Sequence, residues 1–207
     1  LKNSSSSDYA VVVDAFDGRV TLQGHADLRD PAHARLRFAI NARGLRWSGT
    51  TNAPQVRADA DFGVAGRPEA WAAIGNAKLL RLRRTARLHF DGRGNTTQAT
   101  INALHAATPG GALDAHGQVA WSPALRWDIA AQLDRFDPGY FMPDWDGALE
   151  GRITSTGSAR KAGGFDAAVD VPRLGGRLRG RALQAHGRFA MQGDAYRGNV
   201  ELALGSS

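Results

Sequence analysis

The residues of this 207-residue chain best suited to chemistry are six histidines and one pair of closely spaced aspartates. No histidine has a second histidine or a cysteine at ligand spacing, and the chain contains no cysteine. His116 and His186 occupy equivalent places in two similar segments, so a structural, solvent-facing role is expected for both. Asp144 and Asp146 flank Trp145 beside a proline, a context typical of turns rather than of a glycosidase carboxylate pair. The sequence therefore predicts no enzyme, no metal site and no cofactor.

The glycine-rich and basic segments do not indicate a phosphate or nucleic-acid site. No Gly-x-Gly-x-x-Gly motif and no Gly-Lys-Ser or Gly-Lys-Thr motif is present, and we interpret residues 92–94 as a hairpin turn. The formal net charge is +6, but the arginines are scattered singly along the chain. Aromatic residues fall on the apolar positions, opposite the arginines, an arrangement unsuited to stacking single-stranded bases. Nucleic acid is therefore not an expected partner.

Apolar and polar residues alternate with a period of two through most of the chain, as in Val20, Leu22, Gly24 and Ala26. Such alternation is typical of a sheet with one buried and one solvated face. Residues 69–84 are the ambiguous segment, but the glycine and asparagine near its centre would weaken a helix. The pattern predicts about a dozen antiparallel strands, each about seven to ten residues long, and no helix. The expected fold class is all-β.

Two nearly identical segments, LDAHGQVAW and LQAHGRFAM, show that the chain is repetitive. With a looser copy between them, the repeat glycines are Gly117, Gly151 and Gly187, spaced by 34 and then 36 positions. We expect repeat units of two strands at about 113–147, 148–182 and 183–207. Residues 8–207 then form one repetitive segment, and the serine-rich residues 1–7 are expected to be a disordered lead-in or linker.

The predicted apolar face mixes large side chains with many alanines and glycines. A tightly closed core is usually filled with large aliphatic residues, whereas glycine within strands permits strong bending. The composition favours an elongated, curled antiparallel sheet of repeated hairpins, with a hydrophobic concave groove that is partly open. A closed sandwich or barrel with modest packing is the alternative.

Several segments resemble the TamB family, whose members are inner-membrane components of the bacterial translocation and assembly module. They are WSPALRW at 121–127, FDPGYFMPDWDG at 136–147, LGGRLRGRAL at 174–183 and LGSS at 204–207. The similarity is strongest from about Gly66 onward. These are repeat motifs rather than catalytic signatures, and AsmA-like and bridge-type lipid-transfer proteins have sequences of the same style.

The resemblance implies a taco-shaped β-groove in the periplasm of a Gram-negative bacterium, within a longer protein that is anchored in the inner membrane. It implies hydrophobic cargo, either phospholipid acyl chains or unfolded strands of outer-membrane proteins such as autotransporters. It also implies an outer-membrane barrel partner like TamA, contacted through regions outside this chain. An internal piece of such a protein is expected here.

The residues expected to line the groove are large apolar side chains on the alternating positions of successive strands. They are Trp71, Leu88, Phe90, Ile101, Leu113, Val119, Trp121, Leu125, Trp127, Ile129, Phe165, Val169, Phe189, Leu202 and Leu204.

Two other functions fit the same sequence. The first is a structural β-solenoid spacer that bridges the periplasm without binding cargo. The second is a carbohydrate-binding β-domain that uses exposed tryptophans such as Trp47 or Trp145.

Overall fold

Thirteen antiparallel strands form one sheet in which each strand pairs with the next in sequence. The computed structural model describes residues 6–27, 35–49, 54–160, 163–193 and 195–205. The strands are β1 (Ser6–Ala15), β2 (Gly18–Asp27), β3 (Arg35–Trp47), β4 (Val56–Arg67), β5 (Ala70–Arg81), β6 (Arg84–Gly94), β7 (Gln98–Thr108), β8 (Gly111–Ala120), β9 (Arg126–Phe136), β10 (Gly147–Ala159), β11 (Phe165–Leu178), β12 (Arg181–Gln192) and β13 (Ala195–Leu204). The described residues contain no α-helix, only a 3-10 turn at Pro138–Tyr140. The all-β prediction is confirmed, and the ambiguous segment forms strand β5.

Strands of 10 to 14 residues are longer than the sequence pattern predicted. One cause is that Gly92 and Gly94 lie inside β6 instead of forming a hairpin turn, so that prediction was wrong. The register shifts between Asp91 and Gly92, and this irregularity lets the strand continue past the glycine. The turn follows at 95–97, where the Asn95 side-chain oxygen accepts hydrogen bonds from two backbone N–H groups.

Tight turns cluster at one end of the sheet. Two-residue turns join β1 to β2 and β5 to β6, and all four turn residues (Phe16, Asp17, Leu82 and Arg83) have positive φ. This conformation matches the twist of the flanking strands. The 137–146 loop, which joins β9 to β10, lies at the same end. We call this the capped end, and we call the opposite end, with turns at 68–69, 95–97 and 121–125, the open end.

The two clusters of buried side chains lie in the half of the sheet nearest the capped end. One cluster combines Val56, Ala58, Leu79 and Ala86 with Tyr140 of the 137–146 loop. A second cluster contains Ala106, Leu133, Phe136, Leu149 and Leu183. Large apolar residues on the open half remain partly or largely exposed, and neither cluster extends to the open end.

The 137–146 loop shows that the sheet curves at its capped end. In a flat sheet, β3 and β9 would lie about 29 Å apart, since strands are spaced by about 4.8 Å. Yet the indole N–H of Trp47, in β3, donates a hydrogen bond of 3.2 Å to the carbonyl oxygen of Phe141, only five residues beyond β9. The capped end is therefore bent around this loop.

The sheet is not closed into a barrel. The strand order runs from β1 to β13, and within the described ranges neither of these two strands pairs with the other. The repeat glycines Gly117, Gly151 and Gly187 lie in β8, β10 and β12, one in every second strand. Strand β1 begins at Ser6 and so includes the last two residues of the predicted lead-in, whereas residues 1–5 lie outside the described residues.

Candidate functional site

A single row of residues crosses all thirteen strands on one face of the sheet. Directly opposed residues of antiparallel neighbours point to the same face, so the register identifies the row from strand to strand. The row consists of Tyr9, Gly24, Phe38, Val64, Ala73, Gly92, Ile101, Gly117, Ile129, Ser155, Val169, Phe189 and Gly198. We call it the central row, and the face that contains it the apolar face.

Almost no polar group interrupts the central row. Apart from the phenol of Tyr9, its one polar side chain is Ser155, whose hydroxyl accepts a hydrogen bond of 3.0 Å from the indole N–H of Trp127. With twelve spacings of about 4.8 Å, the row is about 58 Å long. It is therefore a continuous apolar path running perpendicular to the strands.

Thirteen of the fifteen residues predicted to line a groove lie in strands on the apolar face. They are Trp71, Leu88, Phe90, Ile101, Leu113, Val119, Trp127, Ile129, Phe165, Val169, Phe189, Leu202 and Leu204. Trp121 and Leu125 lie outside the strands, in the 121–125 turn at the open end. The thirteen strand residues therefore share one face of the sheet, whereas contact of any of the fifteen with cargo stays a prediction.

The apolar face is more exposed toward the open end in the middle strands, and it is exposed along both edge strands, β1 and β13. Trp121 and Phe165 are each 44% exposed at the open end, and Leu202 in β13 is 59% exposed. Leu133 and Leu149, near the capped end, are buried at 6% and 9%. Large exposed apolar areas of this kind mark surfaces that bind lipid, protein or ligand.

Aromatic rings of the apolar face lie over glycines of the neighbouring strand. The ring of Trp127 covers Gly157, its directly opposed partner, and the ring of Trp71 covers Gly94 in the same way. A β-carbon at either glycine would overlap the ring. The space above these glycines is therefore filled by aromatic rings of the same face. We call this surface of rings and small side chains the floor of the apolar face.

Most of the charged side chains lie on the opposite face. Arg43 contacts Asp61 at 2.6 Å, and Nε2 of His186 lies 3.3 Å from the carboxylate of Glu201. Both histidines of the repeat, His116 and His186, are exposed on this face. These contacts are exposed and contribute little stability individually. Their position keeps charge away from the central row.

One charged side chain that belongs to the apolar face is buried under the 137–146 loop. Arg81 is 7% exposed, and its Nη1 lies 3.3 Å from the Asp137 carboxylate. The other carboxylate oxygen of Asp137 accepts hydrogen bonds from the backbone N–H groups of Gly139 and Gly147, at 2.9 and 3.0 Å. Asp137 thus fixes the loop at both of its ends, and Arg81 joins it to β5.

Tyr140 completes this attachment. It is 3% exposed within the first buried cluster. Burial raises the pKa of its phenol, and the nearby Asp137 carboxylate acts in the same direction. Trp47 packs against the same cluster and is bonded to Phe141, so it does not form an exposed sugar-binding platform.

Sequence reasoning missed the ion pair and the closure of the capped end. A signal was present, because Arg81 falls two positions after Leu79 and so on the apolar side of β5. An arginine that is buried at such a position requires a polar or charged partner. The sequence did not identify Asp137 as that partner, because 56 positions separate the two residues.

Among the described residues, no group of three or more His, Cys, Asp or Glu side chains is arranged to hold a metal ion. In the same part of the chain, no helix has the length and hydropathy required to span a membrane.

Comparisons with known proteins agree with the motifs. The family model "TamB, N-terminal domain" matches residues 15–206, a longer stretch than the motifs from Gly66 onward indicated. The translocation and assembly module subunit TamB of Haemophilus influenzae is 26% identical over 102 residues. That alignment covers 49% of this chain and 8% of the relative. No solved structure matches the chain significantly.

Proposed function

Because this chain belongs to the family of the TamB N-terminal domain, we propose that it is a periplasmic segment of a TamB-like protein that moves hydrophobic cargo between the inner and outer membranes. The cargo assigned here is phospholipid acyl chains. We propose that this transport contributes to the translocation and assembly of outer-membrane proteins such as autotransporters. The proposal gives the chain no catalytic step.

The central row is the observation that supports this function best. An acyl chain laid along part of the row would meet apolar side chains and glycines on several successive strands, and the same kind of surface continues across all thirteen. Each methylene removed from water contributes about 0.8 kcal/mol. Even partial burial of a dozen methylenes would therefore keep an acyl chain bound. Because the surface is similar from strand to strand, the acyl chain could also move along it.

The proposed location and partners follow from the family. A TamB-like protein is anchored in the inner membrane and works with a TamA-like outer-membrane barrel. We assign both contacts to parts of the relatives' length that this chain does not cover, since it aligns with 8% of the curated relative.

A charge placed in the central row tests the proposal. Ile129 is half-buried in β9, opposed by Gly117 and Ser155, so Ile129→Arg would put a guanidinium on the floor. A matched control is Gln118→Arg in neighbouring β8, which adds the same charge on the opposite face beside Asp128. The measurement is native mass spectrometry of each purified chain, with extraction and quantification of co-purifying phospholipid.

We expect wild type and Gln118→Arg to retain phospholipid and Ile129→Arg to lose most of it, with all three chains folded by circular dichroism. A wild-type chain that is folded and free of lipid would contradict the proposal. That result would favour the spacer function, which requires only the continuous strand ladder.

Strand pairing at the edges is the second candidate. Every described residue of β13 is exposed, and within the described residues this strand pairs only with β12. An unfolded outer-membrane strand could add to such an edge. Cross-linking of an unfolded β-strand peptide to β13 rather than to the central row would support this cargo.

A further inference from the structure

A cavity of about 830 Å³ lies where the 137–146 loop meets the last four strands at the capped end. Met142 and Trp145 of the loop form one wall, and Leu149, Leu183 and Leu204 contribute to the others. Its volume falls within the range of small-molecule sites, about 300–1,000 Å³. Ala185, which also lines it, lies four residues before Phe189 on the same face of β12. The cavity therefore lies on the same face of the sheet as the central row.

Two arginines, Arg179 and Arg181, are the charged residues that line this otherwise apolar cavity. Arg181 is directly opposed to Leu178, which places it on the apolar face. Arg179 is held at the tight turn by its backbone N–H, which donates to the carbonyl oxygen of Asp146 at 2.8 Å. In the part of the chain that the structure describes, neither guanidinium forms an ion pair with a carboxylate.

Unlike Arg81, these two arginines have no carboxylate partner among the described residues. Arg81 and Arg181 both lie on the apolar face at the base of a two-residue hairpin at the capped end. Arg81 is buried beside the Asp137 carboxylate. Among the described residues, no carboxylate lines the cavity beside Arg181, which leaves its guanidinium available to an anionic ligand.

Resting on the proposed lipid function, we propose that this cavity is a binding site for a phosphate-bearing lipid, with its acyl chain against the apolar walls and its phosphate bound by Arg179 and Arg181. A terminal phosphate has a charge of about −1.5 to −2 at neutral pH, which two guanidinium groups match better than a single carboxylate would. Guanidinium groups also bind phosphate oxygens through paired N–H donors. The site would hold one end of the lipid while the tail extends toward the central row.

The test compares two ligands that differ only by the phosphate, 1-oleoyl lysophosphatidic acid and 1-oleoylglycerol. Isothermal titration of the 207-residue chain gives the dissociation constant of each below its aggregation concentration. We expect the phosphate to tighten binding about tenfold, the effect of one or two charge-assisted hydrogen bonds. Inorganic phosphate alone is expected to show no binding, because it lacks the acyl chain.

The double variant Arg179→Gln/Arg181→Gln should abolish the tenfold preference and leave the affinity for 1-oleoylglycerol unchanged. The matched control, Arg126→Gln/Arg173→Gln, removes two exposed arginines of the opposite face and should keep the preference. The single variant Arg181→Gln tests the same point with the turn residue intact.

Equal binding of the two lipids by the wild type would overturn this site but leave the groove function standing. A preference that survives in the Arg179/Arg181 variant, or inorganic phosphate that binds as tightly as the lipid, would also overturn it. Binding of neither lipid would instead contradict the proposed function itself.

Discussion

The indole N–H of Trp47 donates a hydrogen bond of 3.2 Å to the carbonyl oxygen of Phe141, although 94 positions separate the two residues. This bond ties β3 to the 137–146 loop, and the Arg81–Asp137 pair ties β5 to the same loop. The loop therefore joins strands that are not neighbours in the sheet. The curvature of the capped end depends on these few contacts.

Trp47→Phe should loosen the loop without unfolding the sheet. Loss of one hydrogen bond is expected to cost about 1 kcal/mol. Amide hydrogen exchange across 137–146 should become faster by several-fold. Trp121→Phe is the matched control, because it removes an indole bond to Thr96 at the open end and should leave that exchange unchanged. Equal exchange in wild type and Trp47→Phe would show that the bond does not hold the loop.

Arg81→Ala should destabilise the capped end more strongly. It leaves the Asp137 carboxylate without its cationic partner, and breaking a buried pair costs up to about 3–5 kcal/mol. Asp137 keeps two backbone donors and is partly exposed, so we expect about 2–3 kcal/mol by urea unfolding. Arg84→Ala removes the directly opposed, exposed arginine and should cost less than about 0.5 kcal/mol. Similar losses for the two variants would contradict a specific role for the pair.

Gly157→Ala should destabilise the sheet by about 1–3 kcal/mol, because the new methyl group would displace the ring of Trp127. Tryptophan fluorescence should shift in the same variant as that ring moves. Gly63→Ala is the control, since a β-carbon there meets no atom within 4 Å. That change should be neutral or stabilise by up to about 1 kcal/mol. Equal effects of Gly157→Ala and Gly63→Ala on stability would mean that packing of the Trp127 ring on Gly157 does not matter.

The pH dependence of stability should reveal Tyr140. Burial raises the pKa of its phenol in the folded chain. The stabilisation from keeping it neutral is therefore fully present below the unfolded-state pKa of about 10, and it is lost as pH rises through the folded-state pKa. Unfolding free energies measured between pH 9 and 11 should fall more steeply for wild type than for Tyr140→Phe. Tyr196→Phe, at a 66% exposed residue, should keep the wild-type slope.

Most of the sheet could be predicted because its signal is local. Alternation identified the strands and one apolar face. The turn after β6 was misplaced because a glycine within a strand looks like a turn until the register shift beside it is known. The attachment of the loop to β3 and β5 could not be predicted, because Arg81, Asp137 and Trp47 are brought together only by curvature. Aromatic rings covering glycines were missed for a related reason, since residue alternation does not report which way a ring lies.

Within the described ranges, every strand of the sheet pairs only with its neighbours in sequence. Duplication of a segment of about 35 residues would therefore lengthen the molecule by two strand spacings, about 10 Å, without changing any existing pair. Deletion of one hairpin would shorten it by the same step. The length of the sheet perpendicular to its strands is thus set by the number of hairpins and not by the side chains on either face. The length of the sheet could therefore change in evolution while its surface chemistry stayed the same.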